Sequence, residues 1–124
     1  MTRNQLFTAL NKLCKEMDDC YNINCGGCCF VAACLSENFE KLNIPFEIIH
    51  FGLNGCHYCI KVNDRYLNRD EYTKKEIVEV LDDSELLFER YYNSDWNSVY
   101  NRKWNLIVSS RIRKLFREYE NSRT

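Results

Sequence analysis

The chain has 124 residues, 45% of them hydrophobic and 28% charged, a balance that fits one globular domain around one core. Its net charge of −1 removes the electrostatic case for binding nucleic acid or a membrane surface with the molecule as a whole. Eight cysteines with no apolar leader behind Met1 predict reduced thiols in a cytoplasmic setting, and no apolar run has the length that spans a bilayer.

In chain order, residues 3–17 place Leu6, Leu10, Leu13, Cys14 and Met17 on one stripe at helical spacing. Asp18-Asp19 opposes the helix dipole, so fraying is expected there. Residues 20–27 read as a loop, and Cys28 to Leu42 as a second helix carrying Val31, Ala32, Leu35, Phe39 and Leu42 on its apolar side. Cys14 and Cys34 read as small core residues. Asn43-Ile-Pro45 stops that helix, and Phe46 to Phe51 reads as a strand whose His50 is a hydrogen-bonded filler. Gly52-Leu-Asn-Gly55 is a turn, Cys56 to Val62 a strand, Asn63-Asp64 a tight turn, and Arg65 to Asn68 the returning strand. If 62 pairs with 65, then 57 lies opposite 70, and His57, Asn68 and Asp70 share a face.

The second half reads as helical. Thr73 with Glu76 has the form of a capping box, which predicts a short helix from Thr73 to Leu81. A further helix is expected from Glu85 to Tyr92, then one long or two shorter helices between Trp96 and Tyr119, broken near Ser109-Ser110 if two. Residues 120–124 are expected to be disordered. The tail is basic: residues 99–124 hold seven Lys or Arg against two Asp or Glu. Its Arg102, Lys103, Arg111, Arg113, Lys114 and Arg117 do not form one stripe. That pattern reads as a solvated face, with Trp104 and Tyr119 in the core, rather than as a nucleic-acid surface.

The segment with chemical character is Asn22-Ile-Asn-Cys-Gly-Gly-Cys-Cys-Phe-Val-Ala-Ala-Cys-Leu35. Cys28 falls where a loop becomes a helix, so free backbone N–H groups and the positive end of the dipole favour thiolate. A cysteine nucleophile also needs a base and a group to orient that base. His57 is the candidate base, with Asn68, or else Asp70, as its orienter. Cys25 and Cys29 are the alternative reactive thiols beside Cys28.

These residues resemble a known superfamily. Cys25-Gly26-Gly27-Cys28-Cys29 is similar to the Cys-Gly-Ser-Cys-Trp segment of papain-like peptidases, in which the second Cys of the motif is the nucleophile. The helix, the Leu-Asn-Ile-Pro-Phe-Glu-Ile run and the His-led strand also resemble the transglutaminase-like core of that superfamily. The resemblance covers residues 22–70 and implies Cys28 as nucleophile, His57 as base and Asn68 as orienter. Asn22 stands where the family keeps its oxyanion glutamine. It implies an α+β fold: a papain-like core with a Cys-bearing helix packed on a small antiparallel sheet, plus C-terminal helices over residues 71–120 of a single domain. The implied activity is thiol-dependent acyl transfer or hydrolysis on a peptide, an isopeptide or a small amide, as in a cysteine protease, with no cofactor.

Two other expectations stand beside it. Cys25-x-x-Cys28 and Cys56-x-x-Cys59 match the spacing of a structural zinc site, although on an extended strand Cys56 and Cys59 point to opposite faces. Alternatively, the same fold serves as an inactive structural module that binds a protein partner.

Overall fold

The computed structural model describes residues 1–24, 27–52, 56–69, 76–94 and 99–123, without the side chains of 56 and 99–101. Helix α1 spans Arg3–Tyr21 and buries Leu6, Phe7, Leu10, Leu13, Cys14 and Met17. It begins with a reciprocal capping box: Gln5 N–H donates to Thr2 Oγ1 (3.1 Å) and Thr2 N–H to Gln5 Oε1 (2.8 Å). Asn22, left-handed at φ 53°, ends it, and its N–H donates to the Asp18 carbonyl. The helix therefore runs past Asp18-Asp19, where fraying was expected, and includes Cys20.

Helix α2, Cys28–Lys41, is apolar almost all round and is buried accordingly. It packs against strand β2 (Cys56–Val62), helix α3 (Ser84–Tyr92) and helix α4 (Val99–Asn121), and its Phe39 meets Phe7 of α1 edge-on. Its one buried hydroxyl, Ser36, donates back to the Ala32 carbonyl (2.8 Å). Asn43, at φ 54°, turns the chain out of the helix, and Ile44 N–H donates to the Phe39 carbonyl (3.0 Å).

Four strands follow: β1 Glu47–Gly52, β2 Cys56–Val62, β3 Arg65–Leu67 and β4 Ile77–Leu81. They form one antiparallel sheet in the order β3-β2-β1-β4. Val62 pairs with Arg65 across the Asn63-Asp64 turn, the register expected from the sequence, and Asn63 is left-handed at φ 53°. Helix α3 is Ser84–Tyr92 and helix α4 Val99–Asn121. Glu40 of α2 accepts from both the N–H and the hydroxyl of Ser84, placing a carboxylate at the head of α3.

The protein is therefore α+β, with a Cys-bearing helix on a small antiparallel sheet and further helices from the C-terminal half. One strand departs from expectation. Residues 77–81 are a strand, not the end of a helix; Thr73 lies outside the described residues. Ile77, Val78 and Val80 are β-branched, and pairing with the open edge of β1 offers them a ladder that a short helix cannot match. Helix α4 is continuous through Ser109-Ser110 and reaches Asn121, so part of the expected disordered tail is ordered. There Met1 N donates to Ser122 Oγ (3.1 Å) and Arg123 covers the Tyr119 ring. Among the described residues no helix is long and apolar enough to cross a membrane.

Candidate active site

Cys28 is the first residue of α2 and is 4% exposed. Gly27 precedes it with φ −102°, a conformation open to any residue, and gives the helix no side-chain cap. Space, not backbone freedom, demands glycine there. A Cβ at Gly27 would collide with the Trp104 ring and lie 2.8 Å from the Ile23 carbonyl oxygen. Trp104 is held in turn by its Nε1–H, which donates to the Tyr21 carbonyl (3.0 Å).

His57 sits near the start of β2, paired with Phe51, and is 7% exposed. Its Nε2 lies 2.6 Å from the main-chain oxygen of Asn68. A carbonyl only accepts, so Nε2 carries a proton and donates it. Asn68 is left-handed at φ 60°, which ends β3 and turns its carbonyl to the imidazole. Its own N–H donates to Asn11 Oδ1 (3.0 Å). Its amide is engaged reciprocally with Asn24: Asn68 Nδ2 donates to Asn24 Oδ1 (3.1 Å) and Asn24 Nδ2 to Asn68 Oδ1 (3.3 Å). Asn68 thus contacts His57 through the backbone, whereas the family resemblance implied an orienting side chain.

These bonds tie the head of α2 to the sheet end that carries His57. Asn24 stands four positions ahead of Cys28 and is fixed from α1 as well, because its N–H donates to Asp18 Oδ1 (3.0 Å). A second link is electrostatic. Burial pushes the Cys59 thiol up to about 12; Cys28 adds to that rise and Arg69 opposes it. Alternation along β2 puts His57 and Cys59 on one face, and Tyr58, Ile60 and Val62 on the other. The latter three belong to the main core that also holds Cys28, where β2 packs on α2, while Cys59 packs with Ile49 and Phe51.

Most remaining thiols are unsuited to attack. Burial pushes Cys14 and Cys34 up to about 12, aided by Asp18 and Glu37 respectively. The Cys29 thiol faces the Leu87 carbonyl at 3.4 Å. Asn22 is exposed at the C-terminal cap of α1, with only its backbone N–H engaged in that cap. Asp70 and Cys25 lie outside the described residues, as does the Cys56 side chain. Among the described residues no three of His, Cys, Asp and Glu form a metal-holding group. Asn24, absent from the expected site, is its main addition. The Asn22-Ile-Asn24 spacing was visible, but its pairing with a residue 44 positions away was not.

His50 is a separate cluster, bonded as expected. Its Nδ1 lies 2.9 Å from Glu79 Oε1, and its ring stacks on Tyr58 at 4.1 Å. Arg90 grips Glu79 through two nitrogens and donates to Tyr58 Oη (3.1 Å). The hydrogen bonds from Arg90, then His50, hold the Glu79 carboxyl down at about 2.

No family model, no curated protein and no solved structure matches this chain.

Proposed function

We propose that this protein performs cysteine-dependent acyl transfer, with hydrolysis of a peptide, isopeptide or small amide as its overall reaction. One observation carries the proposal: the buried imidazole of His57 donates from Nε2 to a fixed carbonyl, which orients the ring; in the proposed reaction its other nitrogen, Nδ1, is the base. In this reaction Cys28 gives its proton to Nδ1, and the sulfur bonds to the acyl carbon. His57 then returns the proton to the leaving amine as the carbon–nitrogen bond breaks. Water, deprotonated by the same nitrogen, cleaves the thioester and frees the acid. The Cys28 N–H, at the positive end of α2, is the nearest candidate to hold the oxyanion. The family-level likeness noted from the motif supports the same assignment. Cys14, Cys20, Cys28, Cys29, Cys34 and Cys59 are in no disulfide, which accords with a reducing compartment such as the cytoplasm.

The test is site-resolved alkylation by iodoacetamide at neutral pH, followed by mass spectrometry. Cys28 is expected to react fastest, and His57→Ala to slow it while leaving exposed Cys20 unchanged. Equal rates at Cys28 and Cys20, or no effect of His57→Ala, would refute the proposal. Metal analysis of the purified protein is the companion measurement: about one zinc per chain, lost together with the fold in chelator, would replace acyl chemistry with a structural site.

A further inference from the structure

A cavity of about 460 Å³ opens between α2, α3 and α4, and it includes none of Cys28, His57 and Asn68. Its size falls in the range of small-molecule sites. Aromatic side chains form one wall: Phe30 meets Phe88 edge-on at 6.0 Å, and Phe88 stacks on Tyr92 at 6.3 Å. Cys34 adds to that wall as an apolar surface, its thiol held neutral by burial.

The opposite wall is a stripe of α4. Arg102, Asn105, Ser109 and Arg113 recur at three- and four-residue spacing and so share a helix face. Asn105 is the informative member, 5% exposed at the cavity wall. Its Nδ2 donates to Tyr91 Oη (2.6 Å), yet its buried Oδ1 has no hydrogen-bond partner among the described residues. Buried acceptors are ordinarily matched, and an unmatched one beside a cavity asks for a donor from whatever fills it. Arg113, exposed at the rim, makes no ion pair among the described residues. Lys41, by contrast, is already paired with Glu37 at 3.3 Å.

We propose that this cavity is a binding site for a small aromatic carboxylate whose ring system bears an N–H. The ring lies against Phe30, Phe88 and Tyr92. The N–H donates to Asn105 Oδ1, which is closed off in the unliganded protein and turns toward the cavity on binding, and the carboxylate pairs with Arg113 at the rim, with Arg102 on the same stripe. The site is independent of the acyl chemistry proposed for Cys28.

Indole-3-acetate is the probe, titrated into the full chain and followed by amide chemical shifts and calorimetry. Saturable binding is expected, with shifts centred on α4 residues 102–113 and on Phe88 and Tyr92. Arg113→Gln, a surface change that leaves the fold intact, is expected to weaken binding about tenfold. 1-Methylindole-3-acetate, which lacks the donor, is expected to bind the wild type about tenfold more weakly. That difference should vanish in Asn105→Leu. Absence of saturable binding would overturn the proposal, as would affinity indifferent to Arg113→Gln or to the N-methyl group. Shifts at the same residues on raising protein concentration without probe, with a matching rise in mass, would overturn it in favour of a second copy.

Discussion

Asn68 shows how one residue serves two ends of a site. Its left-handed backbone aims a carbonyl at His57, and its amide clasps Asn24 ahead of the Cys28 helix. The two functions separate by substitution. Asn68→Gly keeps the backbone conformation and the carbonyl; it is expected to cost about 1–2 kcal/mol for the lost amide pair and to retain activity within about tenfold. Asn68→Ala adds the left-handed penalty and is expected to cost about 2–4 kcal/mol. Denaturant unfolding and the proposed turnover of an amide probe check both, and an Asn68→Gly variant as inactive as His57→Ala would assign the orienting function to the side chain. Cys28→Ala is expected to lower turnover by about 10³-fold or more, with the chain still folded by far-UV circular dichroism. Much of this arrangement was legible beforehand. The Asn63-Asp64 turn sets the register of β2 against β3 as expected, and the chain leaving β3 brings Asn68 back to His57. The use of a carbonyl in place of the amide was not legible, because it follows from a single φ angle and a partner 44 positions away.

At the scale of elements, α2 and β4 make opposite cases. Helix α2 announced itself through an apolar run bounded by Gly-Gly and Pro45, and nothing tertiary overrode that signal. Strand β4 was hidden behind a local Thr73/Glu76 spacing that imitates a helix start. Its true state depends on the unpaired edge of β1, which local sequence does not report. As the outer strand of the sheet it leaves Val78 58% and Val80 49% exposed. Edges of this kind template association. Val78→Lys is expected to change stability by no more than about 0.5 kcal/mol and to reduce aggregation on heating, measured by light scattering. Gly27→Ala is expected to do the reverse. Its added methyl has no room between Trp104 and the Ile23 carbonyl, and overpacking there is expected to cost about 1–3 kcal/mol in urea unfolding.

For the whole molecule, the ion cluster that joins β1, β4 and α3 sets the response to acid. Glu79 is held at about 2 in the folded chain by Arg90 and His50, against an ordinary value of 4.5. Its contribution is present above pH 4.5 and is lost as the pH falls from there through 2. Thermal unfolding of the wild type is expected to drop across that window. Glu79→Gln should be less stable than wild type at neutral pH and should show a shallower decline on acidification. Parallel curves for the two proteins would mean that other carboxylates govern the acid limb. This cluster could not be read from the sequence, since Glu79 was expected on a helix and not beside His50 on a neighbouring strand.

The indole of Trp104, hydrogen-bonded to the end of α1 and seated against Gly27, has an optical consequence. The chain contains two tryptophans, so Trp96→Phe would leave that indole as the sole long-wavelength emitter. Its fluorescence would then report, without any label, each rearrangement that occupancy of the neighbouring sulfur imposes on the start of α2.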